Sequence, residues 1–209
     1  VGHDRAQLCN MSLQAKEAIN CDMLPVVADR GYFNGEEILA CEEASITAYV
    51  PKTQTSNNQA RGLFGRRDFI YRADDNEYEC PAGERLIYRF TTQDKGKTVH
   101  RYWSSACPRC RLKKQCTTAV YRRVKRWEHE AVMEAMEDRV DRMPDCMRIR
   151  GSTVEHPFGT IKSWMGPTHF LMRRLEHVST EMSLHVLSYN LKRMLQIFGV
   201  GPLIAAIRG

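Results

Sequence analysis

Apolar residues recur at two periods along this chain, and the switching between them predicts its elements. Leu8, Met11, Ala15 and Ile19 fall at helical spacing behind Asp4, which reads as the cap of a helix over residues 4–20. Leu24-Pro25-Val26-Val27-Ala28 reads as a buried strand that delivers Asp29 to its C-terminal edge, where Gly31 turns the chain. Asn34-Gly35-Glu36-Glu37 starts a helix through about Glu43, and Ile46-Thr47-Ala48-Tyr49-Val50-Pro51 is a strand stopped by its proline. Strand, helix, strand in that order predicts a βαβ unit with a parallel pair.

The texture changes at Lys52. Thr53 to Gly65 is polar and reads as a linker or mobile loop, while Phe69-Ile70-Tyr71 and Leu86-Ile87-Tyr88-Arg89-Phe90 read as strands of a small β element. Helix returns at Trp127, with Val132, Met136, Val140 and Met143 as its buried stripe, and Pro144 ends it. The next helix is expected after Ser152-Thr153 and carries Glu155. A last helix over about Thr180–Phe198 is expected to bury Met182, Val186, Leu187, Leu191, Met194 and Phe198, with Gly199 as its left-handed cap. The pattern therefore predicts an α/β fold in which residues 1–52 and 127–199 form one domain, 53–126 an inserted β/cysteine module, and 200–209 a tail.

Composition narrows the function. With 209 residues, 43% of them hydrophobic, the chain can bury a good core. No apolar run approaches the roughly 18 residues of a membrane span, and no secretion signal opens the chain, so a cytoplasmic or bacterial nucleoid location and no membrane partner are expected. The start at Val1 rather than Met suggests a fragment of something longer. A net charge of +6 fits a polyanionic partner. Arg109, Arg111, Lys113, Lys114, Arg122, Arg123, Lys125 and Arg126 share one segment without an acid, set among cysteines and Trp103, Tyr121 and Trp127. That mixture points to nucleic-acid contact; a solvated face is the alternative.

Eight cysteines in a chain of this kind argue for thiolates or a metal rather than disulfides. Cys80, the pair Cys107-Pro108-Arg109-Cys110, and Cys116 have the count for a tetrahedral zinc site, with ordinary reduced thiols as the alternative. Cys9, Cys21, Cys41 and Cys146 read as packing residues.

Two carboxylates stand out. Metal-assisted phosphodiester cleavage needs acids that converge on Mg2+ or Mn2+, and such sites often combine a strand-edge acid with a helical one. Asp29 and Glu155 fit that division. Each has a plainer reading: Asp29 as a turn-forming residue, and Glu155 as the far end of a Ser152-x-x-Glu155 capping box.

Val26-Val27-Ala28-Asp29-Arg30-Gly31-Tyr32 and Thr153-Val154-Glu155-His156-Pro157-Phe158-Gly159-Thr160-Ile161-Lys162-Ser163-Trp164-Met165-Gly166 resemble the second and third acidic motifs of DDE transposases from bacterial insertion sequences. Cys80-Pro81-Ala82-Gly83, the Cys107/Cys110/Cys116 group and the segment from Thr180 to Arg193 resemble one branch of that family. The resemblance implies a ribonuclease H-like fold, interrupted by an insertion before the glutamate helix and incomplete at its N-terminus. It further implies two divalent metals, and DNA cleavage and strand transfer at transposon ends. Asp29 and Glu155 then become the second and third metal-binding acids. Lys162 matches the lysine of the family's tyrosine–arginine–glutamate–lysine signature and would touch DNA phosphate.

Two departures accompany the resemblance. The first acid of the triad has no counterpart, since Asp4 resembles a position beyond its strand. The signature arginine, expected four residues before Glu155, is Gly151, leaving Arg150 or Arg148 to substitute. By itself the chain is therefore expected to hold metal poorly and to be catalytically weak or dead. Arg122, Arg123, Lys125 and Arg126 are expected at DNA together with Lys162 and Arg150. His156 suits a helix start better than a phosphate or metal contact; Trp164 and His169 could flank DNA, with buried packing the stronger reading for Trp164. The family also implies transposon-end and target DNA as partners, and a homo-oligomer. Two rival readings stand beside a working transposase: a truncated or decayed copy that only binds DNA, and a zinc-module DNA-binding protein unrelated to transposition.

Overall fold

The computed structural model describes residues 4–52, 58–164 and 169–208, and the chain divides into two compact units, Val1–Met143 and Pro144–Gly209. In the first unit, α1 (Leu8–Ile19) precedes a βαβ unit of β1 (Leu24–Val27), α2 (Gly35–Glu43) and β2 (Ile46–Tyr49). The strands are parallel, with Leu24 opposite Ile46 and Val27 opposite Tyr49. Asn34 caps α2 from an extended backbone, its side-chain oxygen accepting the Glu36 N–H at 3.1 Å. Replacing Asn34 with Ala is expected to cost about 1 kcal/mol in urea unfolding, and with Gly only a few tenths. An Ala variant as stable as the Gly variant would remove the capping argument.

Leu8, Ile38, Cys41, Ile46, Ala48 and Val50 form the core of this layer together with Met133 and Met136 of α4 (Glu130–Arg142). The expected stripe of α1 is corrected. Leu8 and Ser12 are its buried residues, whereas Met11 and Ile19 are exposed. Ser12 tolerates burial because its hydroxyl donates to the Leu8 carbonyl at 2.6 Å. Gln7, not Asp4, occupies the N-cap, without a side-chain bond. β1 is half-buried rather than buried, and among the described residues β2 is the one strand beside it. On α4, Met133 and Met136 are buried, Val132 and Val140 pack at the margin, and Met143 is exposed.

The rest of the unit is a five-stranded antiparallel sheet in chain order: β3 (Ile70–Arg72), β4 (Glu77–Glu79), β5 (Arg85–Asp94), β6 (Lys97–Trp103) and β7 (Val124–Trp127). Between β6 and β7 lies the short α3 (Lys113–Cys116). The sheet has its own core of Phe69, Tyr78, Leu86, Tyr102 and Val124. β5 and β6 turn on Lys95 and Gly96, both at positive φ (54° and 80°), as a two-residue hairpin of matching twist demands. Trp127 closes β7 instead of opening a helix, and α4 starts three residues later. Residues 53–57 of the expected linker lie outside the described residues.

In the second unit, α5 (Cys146–Arg150), a π-helical turn (Gly151–Glu155) and α6 (His156–Trp164) run without a break in helical backbone. The helix start expected after Ser152-Thr153 is thus overturned. Pro157 explains the wide turn: it lacks an N–H, and its ring crowds the carbonyl four residues back, at Thr153. The Ser152 and Thr153 hydroxyls both donate to the Ile149 carbonyl, at 2.9 and 2.8 Å. Met165 and Gly166 of the motif lie outside the described residues.

α7 (Leu175–Phe198) and α8 (Val200–Arg208) complete the unit, so the stretch expected as a tail is helical. The buried stripe expected on α7 is not found. None of its residues is buried; Leu187 and Phe198 are 63% and 58% exposed, and Met182 is half-buried. Helical period reports which residues share a face, not whether another element covers that face. Gly199 has the positive φ expected of it (79°) but an extended ψ of 165°, not the left-handed helical form. No helix among the described residues is long and apolar enough to cross a membrane.

Candidate active site

Glu155 ends the π-helical turn, and its carboxylate faces solvent with 73% of the side chain exposed. The capping-box reading fails, because Glu155 and Ser152 both sit inside continuous helix. Arg150 Nη1 lies 3.4 Å from Glu155 Oε1, and the Arg150 side chain is only 18% exposed. Arg148 turns instead to Asp145, at 3.1 Å. Of the two arginines considered for the signature position, Arg150 is therefore the one at the glutamate. A Cβ on Gly151 would meet the Glu155 carboxylate at 3.9 Å. Lys162 is exposed on α6, seven residues on; helical rise and angle put it about 10 Å along roughly the same face as Glu155.

Asp29 follows β1 directly, and Ala28 is held by its N–H to the Tyr49 carbonyl at 3.0 Å. The Asp29 carboxylate Oδ1 accepts the Gly31 N–H at 2.8 Å and starts a short 3-10 turn over Arg30–Tyr32. The turn needs glycine for space, since a Cβ at Gly31 would lie 2.9 Å from that oxygen. Asp29 is thus half-buried on a fixed strand end and does serve its turn.

The basic segment divides by contact. Arg126 is buried, and the expectation that it meets DNA is corrected. Its guanidinium grips Glu134 of α4 (Nη2 to Oε2, 2.8 Å), donates to the Tyr78 hydroxyl at 3.2 Å, and lies 3.7 Å from the Tyr71 ring centre. Arg122 is turned inward over Phe69 and donates to the Phe64 carbonyl. Lys125 is exposed but paired with Asp94 at 2.8 Å, and its hydrogen bond and charge hold the Asp94 carboxyl below its usual range. Arg123 is exposed and stacks on Trp103, as Arg89 does from the other strand. A segment without acids is thus neutralised in part by acids from α4 and from the β5–β6 turn.

Sequence reasoning missed Lys192 and Arg193. With His156, Ser163, Tyr189 and Gln196 they line an open groove between α6 and α7, a setting suited to phosphate. Their only sequence signal was their place inside the stretch resembling the family's last helix. His156 is an exposed mid-helix residue at this groove, not a helix start. His169 is exposed, and the side chain of Trp164 is outside the described residues. Cys80, Cys107, Cys110 and Cys116 line a single cavity of about 30 Å³. Among the described residues no group of three or more His, Cys, Asp or Glu is assembled to hold a metal ion.

Residues 79–195, over half of the chain, match the family described as transposase DDE domain. The chain belongs to that family. Within the matched span of this DDE domain lie Glu155, Lys162, Arg150, the groove pair Lys192 and Arg193, and all four clustered cysteines; Asp29 lies before it. No curated protein and no solved structure matches the chain.

Carboxylate oxygens are the right donors for Mg2+ or Mn2+. Glu155 offers its oxygens to solvent from a helix, and Asp29 follows the end of β1. In donor chemistry both residues fit the divalent ions that DDE domains generally use.

Proposed function

We propose that this DDE domain acts in DNA transposition by metal-dependent strand cleavage and strand transfer at insertion-sequence ends, with Asp29 and Glu155 as metal-binding acids. The observation that carries the proposal is the exposed carboxylate of Glu155, inside the family-matched span, with Arg150 at its side and Lys162 along its face. Bound Mg2+ or Mn2+ would activate the attacking water or 3′-hydroxyl and steady the leaving oxygen. The chain's own residues do the rest. Arg150 holds the Glu155 carboxylate in one orientation, and Lys162, Lys192 and Arg193 attract and position the phosphate backbone. Arg123 on Trp103 adds a cation and an aromatic surface for nucleic acid.

The same proposal includes a ribonuclease H-like fold in which residues 53–126 are an insertion. Its support is the pair of separate cores, one joining residues 8–50 to α4 and one internal to residues 69–124. DNA, and a second copy of the chain, are the proposed partners.

Iron-directed cleavage tests the metal site without requiring turnover. Fe2+ placed at the Mg2+ site, with hydrogen peroxide and ascorbate added, generates hydroxyl radicals that cut nearby backbone. Cuts near both residue 29 and residue 155, suppressed by excess Mg2+, are the expected result. A position without cuts would remove its residue from the proposed metal-binding acids. DNA binding without any such cuts would favour the decayed copy.

A further inference from the structure

We propose that Cys80, Cys107, Cys110 and Cys116 bind one structural zinc ion that staples the five-stranded sheet, a site independent of the transposition chemistry. Cys80 leaves β4 in a tight turn, with the Gly83 N–H donating to the Cys80 carbonyl at 2.8 Å and Gly83 at φ +79°. Its own N–H is fixed by the Glu84 carbonyl at 3.0 Å. Cys107 and Cys110 form a second turn of like design, closed by the Cys110 N–H on the Cys107 carbonyl at 3.2 Å. The Leu112 N–H is directed at Cys110 Sγ, at 3.4 Å. A backbone donor aimed at sulfur stabilises a thiolate, and thiolate is the form that binds metal. Cys116, at the end of α3, completes the ring of sulfurs around the cavity.

Charge favours the metal. Four thiolates and Zn2+ leave two negative charges, and Arg122 and Lys113 both line the cavity. Arg122 Nε is buried and without a hydrogen-bond partner among the described residues, a donor that a thiolate would satisfy. An all-sulfur set selects zinc over Mg2+ or Mn2+, which take oxygen. The sulfurs do not stand at ligand spacing here, so the ion must draw them in to about 2.3 Å. All four cysteines already line one cavity.

The test uses the whole reduced chain, dialysed against zinc and then desalted. Elemental analysis is expected to find one zinc per chain, and Co2+ in its place to give the strong charge-transfer absorption of a tetrathiolate site. Iodoacetamide mapping should show Cys80, Cys107, Cys110 and Cys116 protected together, with Cys21 labelled, until a chelator releases the four. The double variant Cys107→Ser/Cys110→Ser should lose the ion and Cys21→Ser should retain it. Mapping needs no variant, so it still decides the matter if the double mutant fails to fold. A zinc-free chain, protection of other cysteines, or a Cys107–Cys110 disulfide would each overturn the proposal.

Discussion

Changing Glu155 to glutamine is expected to abolish iron-directed cutting near residue 155, while leaving thermal unfolding unchanged. The stability half follows from exposure. The Arg150–Glu155 pair, at 3.4 Å with a glutamate that faces water, is worth roughly 0.5 kcal/mol or less. The functional half follows from charge, since glutamine keeps the shape but loses the anionic oxygens that a hard cation requires. Removing an outer partner of a metal ligand already costs about 10–100-fold, so loss of a ligand should cost on the order of 10²–10³-fold or more. Lys162→Ala should behave differently, weakening DNA binding and lowering the salt slope by about one without removing iron-directed cuts. A glutamine variant that still shows the iron cut near residue 155 would exclude Glu155 as a ligand.

Arg126→Met is expected to destabilise the first unit by about 2–3 kcal/mol in urea unfolding. Breaking a buried ion pair by removing one partner costs about 3–5 kcal/mol, and the value here is reduced because water can reach Glu134, which is 43% exposed. The loss also strips a donor from the Tyr78 hydroxyl and a cation from the Tyr71 ring. Arg126→Lys should recover only part, since an ammonium cannot fork onto the Glu134 carboxylate. The neighbouring Lys125→Met removes only a surface pair with Asp94 and should change stability far less than Arg126→Met. Equal effects at the two positions would show that Arg126 does not anchor α4 to the sheet. In DNA binding the order should reverse against Arg123, whose truncation weakens binding while stability holds.

The βαβ unit was legible because each boundary carries a local signal: Asn34 to start α2, a β-branched run for β1, and Pro51 to end the second strand. β4, β6 and β7 were not, because their outward positions are charged and short strands show period two weakly. The turn at Lys95-Gly96 was the available clue to β6. Arg126 was misplaced for a different reason. A charge run reports its own composition, and its counter-ion, Glu134, comes from a later helix. Glu155 and Lys162 were found through motif resemblance, yet the local pattern around Glu155 misled, since Ser152-x-x-Glu155 also describes residues inside a helix interrupted by Pro157. Lys192 and Arg193 had no signal of their own, because a groove is a property of two packed helices.

The wide turn before Glu155 changes how spacing should be counted in such domains. With one residue more per turn than an α-helix, the neighbour of Glu155 on the preceding turn is the fifth residue back, which is where this chain keeps its arginine. An arginine shifted by one place and a helix widened by one place offset each other. Motif patterns written with a fixed gap would pass over that compensation, and a one-residue deletion within 151–154 would restore the common spacing.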